Sequence, residues 1–189
     1  MRITGGILCG RQIKVPPGTI RPAMDRMRES VFAALGSLYG LSFLDLFSGS
    51  GIIALEAASR GATGIEAVEM DPLKRKTILE NTVISPIRIN CRFMPAELYI
   101  KRAKQAFDII FCDPPFPYKY KDPLLSSITL SALVKKGTKL LLHRPREELL
   151  ADTYNSGRGV LVRENSREYG RSIVDFYIFS ENEHSSAKI

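Results

Sequence analysis

Short apolar runs alternate with amphipathic stretches along the middle of the chain. Short apolar runs predict five strands, at residues 43–47, 65–69, 87–93, 107–112 and 139–143. The segments between them carry apolar residues at three- or four-residue spacing, which predicts helices. Because alternating strands and helices are joined by right-handed crossovers, the pattern predicts a parallel sheet with helices on both faces.

The pattern changes in the C-terminal part of the chain. Residues 160–163 and 173–179 are strand-like and flank Tyr169-Gly170, which predicts an antiparallel hairpin. These two segments bring the predicted total to seven strands. We therefore expect an α/β, Rossmann-like fold whose seven-stranded sheet is mostly parallel and closes with the antiparallel C-terminal hairpin.

Capping residues mark the predicted helix ends. An apolar stripe predicts a first helix that Asp25 caps and Gly40 ends. The stripe consists of Met27, Val31, Leu35 and Leu38. Asp71-Pro72 and Asp122-Pro123 predict two later helix starts, because each places a capping carboxylate before a proline at the first helical position.

The two ends of the chain differ from its middle. Residues 1–20 are rich in Gly, Pro and β-branched side chains, which predicts a short hairpin or extended arm ending at residues 15–18. The polar C-terminal residues predict a frayed tail. We expect a basic arm or hairpin at residues 1–22, one α/β domain at residues 23–180 and the tail at residues 181–189.

Basic residues are concentrated near the start of the chain. The formal net charge is +7 and the sequence pI is about 9.4. The first 28 residues contain one acid, Asp25, and a cluster of bases: Arg2, Arg11, Lys14, Arg21, Arg26 and Arg28. Such a cluster favours a polyanionic partner, and a solvated surface is the alternative interpretation.

Composition limits the classes of protein that need to be considered. A chain of 189 residues with 44% hydrophobic content can bury one substantial core. No apolar run approaches the roughly 18 residues that span a bilayer, and the start lacks the apolar core of a secretory signal, so a cytoplasmic protein is expected. The three cysteines form no C-x-x-C pair and the two histidines are far apart, so neither disulfides nor a metal site are expected. We further expect a monomer.

A glycine-rich turn follows the first predicted strand, in Asp-Leu-Phe-Ser-Gly-Ser-Gly at residues 45–51. Gly49 and Gly51 permit a tight turn into a helix whose first N–H groups and positive dipole end are available to a ligand. Glu69 ends the second predicted strand, where a carboxylate can accept both hydroxyl hydrogens of a ribose. Asp45 requires a partner at a strand end, such as an amino group. Together they predict a site for a nucleoside-bearing cofactor, with a plain structural turn as the alternative.

A second motif, Asp113-Pro114-Pro115-Phe116, follows the fourth predicted strand. The two prolines hold the backbone rigid and donate no hydrogen bonds, so acceptors dominate there. The Asp113 carboxylate and the Pro114 carbonyl could accept both hydrogens of an exocyclic amine, which would localise its lone pair for attack. Phe116 could stack on a flipped base. A proline turn with a core phenylalanine is the alternative.

The motifs resemble those of class I S-adenosylmethionine-dependent methyltransferases that modify exocyclic nitrogens. More narrowly, their order and spacing resemble the RsmD family. Six segments carry this resemblance: residues 21–32, 45–51, 55–62, 68–71, 113–116 and 169–170.

The resemblance implies methylation of the N2 amine of guanine 966 in 16S ribosomal RNA of the small subunit, with S-adenosylmethionine as the cofactor. It assigns catalysis to Asp113, Pro114 and Phe116. It places the cofactor at Asp45, Phe47, Gly49, Gly51, Glu69, Met70, Ala96 and Asp113. It places RNA at Arg2, Arg11, Arg21, Arg26 and Arg28.

Three positions depart from the family pattern. Ala23 and Ala33 stand where the family commonly has Thr and Asn. Pro95 stands where related enzymes often have an Asp or Asn that bonds the adenine amine, so the adenine would rely on the Ala96 backbone N–H and on apolar packing.

Three other functions are compatible with parts of the sequence. A nicotinamide dehydrogenase would use the glycine turn, but hydride transfer gives the Asp-Pro-Pro-Phe motif no role. A methyltransferase acting on the N6 amine of adenine in DNA or RNA would use the same acceptors. A non-catalytic RNA-binding assembly factor could retain the cofactor fold.

Overall fold

The computed structural model describes residues 1–16 and 24–182. The chain divides into two compact units, Met1–Ala96 and Glu97–Ile189. The described residues form five α-helices and eight strands. Predictions for Arg21, Ala23 and residues 183–189 lie outside the described part of the chain.

The first unit contains three parallel strands in the order β3-β2-β1. Its elements are α1 (Met24–Leu35), β1 (Ser42–Asp45), α2 (Ile52–Ser59), β2 (Thr63–Glu69), a short 3-10 helix (Pro72–Lys74), α3 (Arg75–Thr82) and β3 (Ile89–Phe93). Phe43 and Leu44 of β1 are fully buried, as are Ile65 and Val68 of β2. The apolar runs that predict these strands therefore form the core of this unit.

Helix α1 begins and ends differently from the prediction. Asp25 lies in its first turn and not at its cap, because the helix already includes Met24. The helix ends at Leu35, before the predicted stop at Gly40, since Gly36 takes a φ of +75° that a helix cannot continue. Leu38 is nevertheless buried, so the apolar stripe correctly indicated which side chains enter the core.

The second unit combines one parallel strand pair with an antiparallel group, in the order β4-β5-β8-β7-β6. Its elements are α4 (Ala96–Arg102, which starts at the boundary), β4 (Ile109–Cys112), α5 (Lys121–Leu130), β5 (Lys139–Pro145), β6 (Thr153–Asn155), β7 (Gly159–Tyr169) and β8 (Ser172–Glu181). Strands β4 and β5 are parallel, and β7 and β8 form the predicted antiparallel hairpin around Tyr169-Gly170.

The prediction of an α/β fold with parallel strands and an antiparallel C-terminal hairpin is confirmed. All seven predicted strands are present, and the described residues add an eighth, β6, which pairs with β7. The predicted cap at Asp122 is wrong. Helix α5 starts one residue earlier, and the Asp122 carboxylate accepts hydrogen bonds from the Tyr154 hydroxyl and, at 3.4 Å, from the Ala151 N–H.

The N-terminal residues 1–13 form a closed loop. An isolated antiparallel bridge joins Arg2 to Gln12. The side chains of Ile3, Leu8 and Ile13 are buried, which fixes the loop by apolar contact.

This loop is anchored on the C-terminal end of α2. The backbone N–H of Ile7 donates to the carbonyl of Ser59 at 2.8 Å, and the N–H of Leu8 donates to the Ser59 hydroxyl at 2.8 Å. A Cβ atom at Gly6 would lie only 1.9 Å from the Ser59 carbonyl oxygen, so this close approach requires glycine.

Among residues 1–16 and 24–182, no helix combines the length and apolar character needed to cross a membrane.

Candidate functional site

The glycine turn after β1 has the tight geometry that its sequence predicts. Gly49 and Gly51 have φ angles of +58° and +84°, which place both residues in the left-handed region. The N–H of Ser48 donates to the Val68 carbonyl at 2.8 Å, and the N–H of Gly51 donates to the Ser48 carbonyl at 2.9 Å. One hydrogen bond therefore holds the turn against β2, and the other closes the turn internally.

Helix α2 starts directly after this turn without a side-chain cap. Gly51 occupies the N-cap position and supplies no side-chain acceptor. The first regular helical hydrogen bond runs from the Leu55 N–H to the Gly51 carbonyl at 3.0 Å. N–H groups in the first turn of a helix lack intrahelical acceptors, so this end of α2 can donate to an anionic or polar ligand.

Glu69 ends β2 and connects the two loops beside it. One carboxylate oxygen accepts the Gly49 N–H at 2.8 Å, and the other accepts the Asp71 N–H at 2.8 Å. The ammonium group of Lys74 lies 3.6 Å away. Because an ionised carboxylate offers about four acceptor positions, Glu69 can hold the turn and still accept from a hydroxyl group.

Asp45 is fully buried at the end of β1. Its Oδ2 accepts a hydrogen bond from the Ser48 hydroxyl at 2.8 Å. The bond ties the strand end to the glycine turn, so Asp45 has at least a structural role there.

Asn81 is a site residue that the sequence reasoning did not identify. Its amide nitrogen donates to the Ser50 carbonyl at 2.9 Å and to the Lys14 carbonyl at 2.8 Å, and its oxygen accepts the Lys14 N–H at 2.9 Å. The side chain is 4% exposed. A polar residue three positions after Ile78, on the buried side of α3, was the available signal.

The other predicted cofactor residues occupy three different environments. Phe47 is half-buried in the glycine turn. Met70 is 67% exposed directly after β2. Ala96 is buried as the first residue of α4, where its backbone N–H has no helical acceptor.

In the second unit, the Asp-Pro-Pro-Phe motif follows β4 directly. Asp113 Oδ1 lies 2.8 Å from Nδ1 of His143 on β5. The Asp113 side chain is 21% exposed, whereas that of His143 is 3% exposed. The carboxylate can therefore accept a hydrogen bond from an incoming group while the histidine lies behind it.

The rest of the motif forms a turn. Pro114 is buried and Pro115 is exposed, and the Pro115 carbonyl accepts the Tyr118 N–H at 2.8 Å. Phe116 packs edge-on against His143, with ring centroids 5.5 Å apart. The motif thus presents an aromatic ring and a carboxylate on one rigid loop.

A cavity of about 800 Å³ lies beside this loop. Its lining includes Glu97, Ile100, Tyr118, Tyr120, Leu124 and Leu130.

Two tyrosines that line this cavity, Tyr118 and Tyr120, differ in their hydrogen bonding and exposure. The Tyr118 hydroxyl donates to Glu97 at 2.6 Å, and burial together with this bond raises the pKa of Tyr118. Tyr120 is 66% exposed, and its ring packs edge-on against that of Tyr118 with centroids 5.8 Å apart. Lys121, adjacent in sequence, is buried with its ammonium group 2.6 Å from the Tyr118 carbonyl and 2.7 Å from Glu148, so it is structural.

The predicted RNA-binding arginines differ in exposure. Arg2, Arg11 and Arg26 are exposed. Arg28 is fully buried: its guanidinium group donates to Asp25 at 2.7 Å, to the Arg2 carbonyl at 2.9 Å and to Glu56 at 3.3 Å. Arg28 therefore neutralises a buried carboxylate and fixes the N-terminal loop, in contrast to the RNA contact that the family resemblance implies.

Comparisons with known proteins agree with this architecture. Residues 1–178 match a family described as "Conserved hypothetical protein 95". YlbH of Bacillus subtilis, which carries the provisional name of an rRNA methyltransferase, is 30% identical over 189 residues, covering 94% of this chain and 98% of that protein. The solved structure of yhhF from Escherichia coli, provisionally named a methyltransferase, has 25% identity and a TM-score of 0.81 over 96% of this chain and 99% of its own.

A further relative is the Escherichia coli protein named "Ribosomal RNA small subunit methyltransferase D". It is 36% identical over 121 residues, which cover 61% of this chain and 60% of that protein. The chain thus spans about three fifths of this relative's length in the alignment.

The fold and the names of these relatives indicate the class of methyltransferases. Because the family match extends over residues 1–178, the class can be narrowed. The chain belongs to the RsmD family of rRNA methyltransferases.

Proposed function

We propose that this protein uses S-adenosylmethionine to methylate the exocyclic N2 amine of guanine 966 in 16S rRNA of the small ribosomal subunit. The observation that carries the proposal is the partly exposed Asp113 carboxylate, held at the end of β4 by a 2.8 Å contact with His143. The names of the E. coli and B. subtilis relatives support RNA as the substrate class.

The first unit fits the cofactor in its donor and acceptor chemistry. The uncapped start of α2 offers N–H donors, and Glu69 keeps acceptor capacity after binding the N–H groups of Gly49 and Asp71. We assign the cofactor to Asp45, Phe47, Gly49, Gly51, Glu69, Met70 and Ala96, and propose Asp113 as a further cofactor-binding residue. When bound, its sulfonium group supplies a methyl group that is already activated for transfer.

The acceptor residues prepare the amine for attack. Asp113 and the Pro114 carbonyl accept its two hydrogens, which reduces delocalisation of the nitrogen lone pair into the ring. As the nitrogen becomes cationic, Asp113 takes the proton, a contribution of about 10²–10⁴-fold. Phe116 stacks on the base and contributes roughly 1–3 kcal/mol.

Exposed basic and aromatic residues position the RNA in this proposal. Arg2, Arg11 and Arg26 contact phosphates, as does Arg21, which lies outside the described residues. Tyr120 offers a stacking surface close in sequence to Asp113. Extruding a base costs a few kcal/mol and less from a single-stranded loop than from a duplex, so an RNA loop is the favoured substrate.

Adenine N6 methylation is a second candidate function. The Asp113 carboxylate and the Pro114 carbonyl recognise an amine and do not by themselves distinguish guanine from adenine. The same domain without turnover would act as an RNA-binding assembly factor.

Methyl transfer to ribosomal particles tests the proposal. Small subunits from a strain that lacks this protein are incubated with the protein and tritiated S-adenosylmethionine, and the labelled nucleoside is then mapped by mass spectrometry. Label on N2 of guanine 966 is the expected result. Label on adenine N6 would establish the second candidate, and absence of label would contradict both catalytic proposals.

A further inference from the structure

His143 lies beside Asp113 because of the strand register. Strands β4 and β5 are parallel, and Cys112, the last residue of β4, pairs with Leu142 of β5. The next residues on the two strands, Asp113 and His143, are therefore neighbours. Their side chains meet at 2.8 Å between Oδ1 and Nδ1.

The two side chains differ in what can reach them. His143 is 3% exposed and Asp113 is 21% exposed. On the other side, His143 pairs with Val174 of β8, and its ring packs against Phe116 at a 5.5 Å centroid distance and an interplanar angle of 64°. A substrate amine can therefore reach the Asp113 carboxylate, but it cannot reach the enclosed imidazole of His143.

The hydrogen bond to Asp113 defines the polar environment of the imidazole. Within residues 1–16 and 24–182, the buried Nε2 atom of His143 has no hydrogen-bond partner. An ionised carboxylate can only accept, so the hydrogen in this contact lies on Nδ1. The tautomer with a lone pair on Nε2 fits the absence of a partner for that atom. In this tautomer, no N–H group of His143 is left buried without an acceptor.

We propose that His143 is a positioning residue for methyl transfer, acting through Asp113 and Phe116. The Nδ1–H group occupies Oδ1 of Asp113 and restrains rotation of the carboxylate, which leaves Oδ2 to accept from the substrate amine. The same ring supports one face of the Phe116 loop. This inference rests on the proposed amine methylation.

The role predicts a specific kinetic pattern. Displacing a reacting group by about 1 Å can lower the rate about 100-fold. Replacing His143 by leucine removes the donor at similar volume, so kcat for methyl transfer should fall about 10- to 100-fold. His143→Asn retains an N–H donor near the former Nδ1 position and should recover most of this loss. The dissociation constant of S-adenosylmethionine should be unchanged in both variants.

Thr138→Val is the matched control for a lost buried hydrogen bond in the same unit. The fully buried Thr138 hydroxyl donates to the Phe107 carbonyl at 2.7 Å, at the opposite end of the β4–β5 pair from Asp113. This variant should lose stability while retaining wild-type kcat. If it lost kcat as His143→Leu does, the His143 effect would be one of general stability and the inference would be overturned.

The experiment combines methyl-transfer kinetics on small subunits, calorimetry with S-adenosylmethionine, and ¹⁵N NMR of the His143 ring in the full chain. Wild-type kcat in folded His143→Leu, equal losses in the leucine and asparagine variants, or a proton on Nε2 with a bare Nδ1 would each overturn the inference. If the wild-type protein itself transferred no methyl group, the proposed function would fail and this role would fail with it. The NMR result would still decide separately whether the His143–Asp113 bond exists.

Discussion

At the scale of single residues, Glu69 combines a structural and a proposed ligand-binding role. Its two oxygens accept the N–H groups of Gly49 and Asp71, both at 2.8 Å, and the side chain is 7% exposed. A cofactor ribose would therefore bind a carboxylate whose position is already fixed. Pre-fixed acceptors bind more tightly because less conformational freedom is lost.

Glu69→Gln should weaken binding of S-adenosylmethionine. The amide replaces one acceptor oxygen by a donor, so a contact to charged oxygen worth about 1.5–3 kcal/mol is lost, roughly a 10- to 100-fold change in the dissociation constant. Isothermal calorimetry measures the change. Glu66→Gln is the control, since this buried acid lies on the same strand but faces Arg92 at 3.1 Å. An unchanged dissociation constant in Glu69→Gln would remove Glu69 from the cofactor site.

Some site residues could be predicted from the sequence and others could not. The sequence indicated both Asp113, which follows an apolar strand, and Glu69, which ends one, because strand ends can be located from local pattern. Arg28 could not be placed in the same way, because its buried partner Glu56 is 28 positions away in sequence. His143 had an assignable strand position, but its contact with Asp113 depends on a register that local pattern does not reveal.

At the scale of elements, the glycine turn between β1 and α2 depends on backbone conformation more than on space. A Cβ atom at Gly51 would meet Ile78 and Thr82 methyl groups only at an ordinary 3.7 Å. The requirement for glycine therefore comes from the φ angle of +84°. The turn aims the first N–H groups of α2, so strain here would affect the ligand site directly.

Gly51→Ala should destabilise the protein and weaken cofactor binding. The left-handed conformation costs an alanine about 1–2 kcal/mol. Gly137→Ala is a matched control, because Gly137 also has a φ of +84° and a Cβ atom there would meet nothing within 4 Å. Urea unfolding should show similar losses in both variants, and calorimetry should show weaker cofactor binding in Gly51→Ala alone. Equal affinities would indicate that the turn does not contact the cofactor.

The N-terminal loop is attached to α2 through a buried ion cluster. Glu56 is fully buried and accepts the Thr4 N–H at 2.8 Å, while its carboxylate pairs with Arg28 and Arg60. Removing one member of such a cluster leaves a buried charge without full compensation.

Glu56→Gln should lower the free energy of unfolding by about 3–5 kcal/mol, the usual effect of breaking a buried ion pair. Urea denaturation followed by circular dichroism measures this change. Glu80→Gln, which removes a surface pair with Lys14, should leave the unfolding free energy nearly unchanged. Similar behaviour of the two variants would show that the Glu56 cluster does not hold the loop in solution.

Element prediction succeeded where the apolar pattern was long enough to be unambiguous. The central strands were found because each is a run of buried residues, as in Ile109–Cys112. Strand β6 was missed since it has three residues, of which only Tyr154 is buried. The Asp122 cap was mispredicted because its carboxylate bonds Tyr154, a partner 32 positions away.

At the scale of the whole molecule, buried phenols link stability to alkaline pH. Burial, followed by the Asp175 charge, raises the pKa of Tyr177 to about 12 from its ordinary 10. Burial and hydrogen bonds to carboxylates also raise the pKa of Tyr118 and of Tyr154. The unfolded chain therefore loses these protons at lower pH than the folded chain does.

The free energy of unfolding should consequently fall as the pH rises from about 10 through about 12. The stabilisation by these protonated phenols is fully present below the tyrosine pKa of the unfolded chain. It is lost as the pH rises through the tyrosine pKa of the folded chain. Urea unfolding at a series of alkaline pH values measures the slope, and Tyr177→Phe should reduce it. A slope identical in Tyr177→Phe and wild type would show that this phenol is not protected in the folded protein.

The central claim about the function of the molecule is that a carboxylate at the end of β4 prepares an amine for methylation. The most direct measurement is methyl transfer from tritiated S-adenosylmethionine to small subunits by Asp113→Ala, with cofactor affinity measured by calorimetry on the same preparation. The account predicts that transfer is abolished while the cofactor still binds. Near-normal turnover by this variant would contradict it.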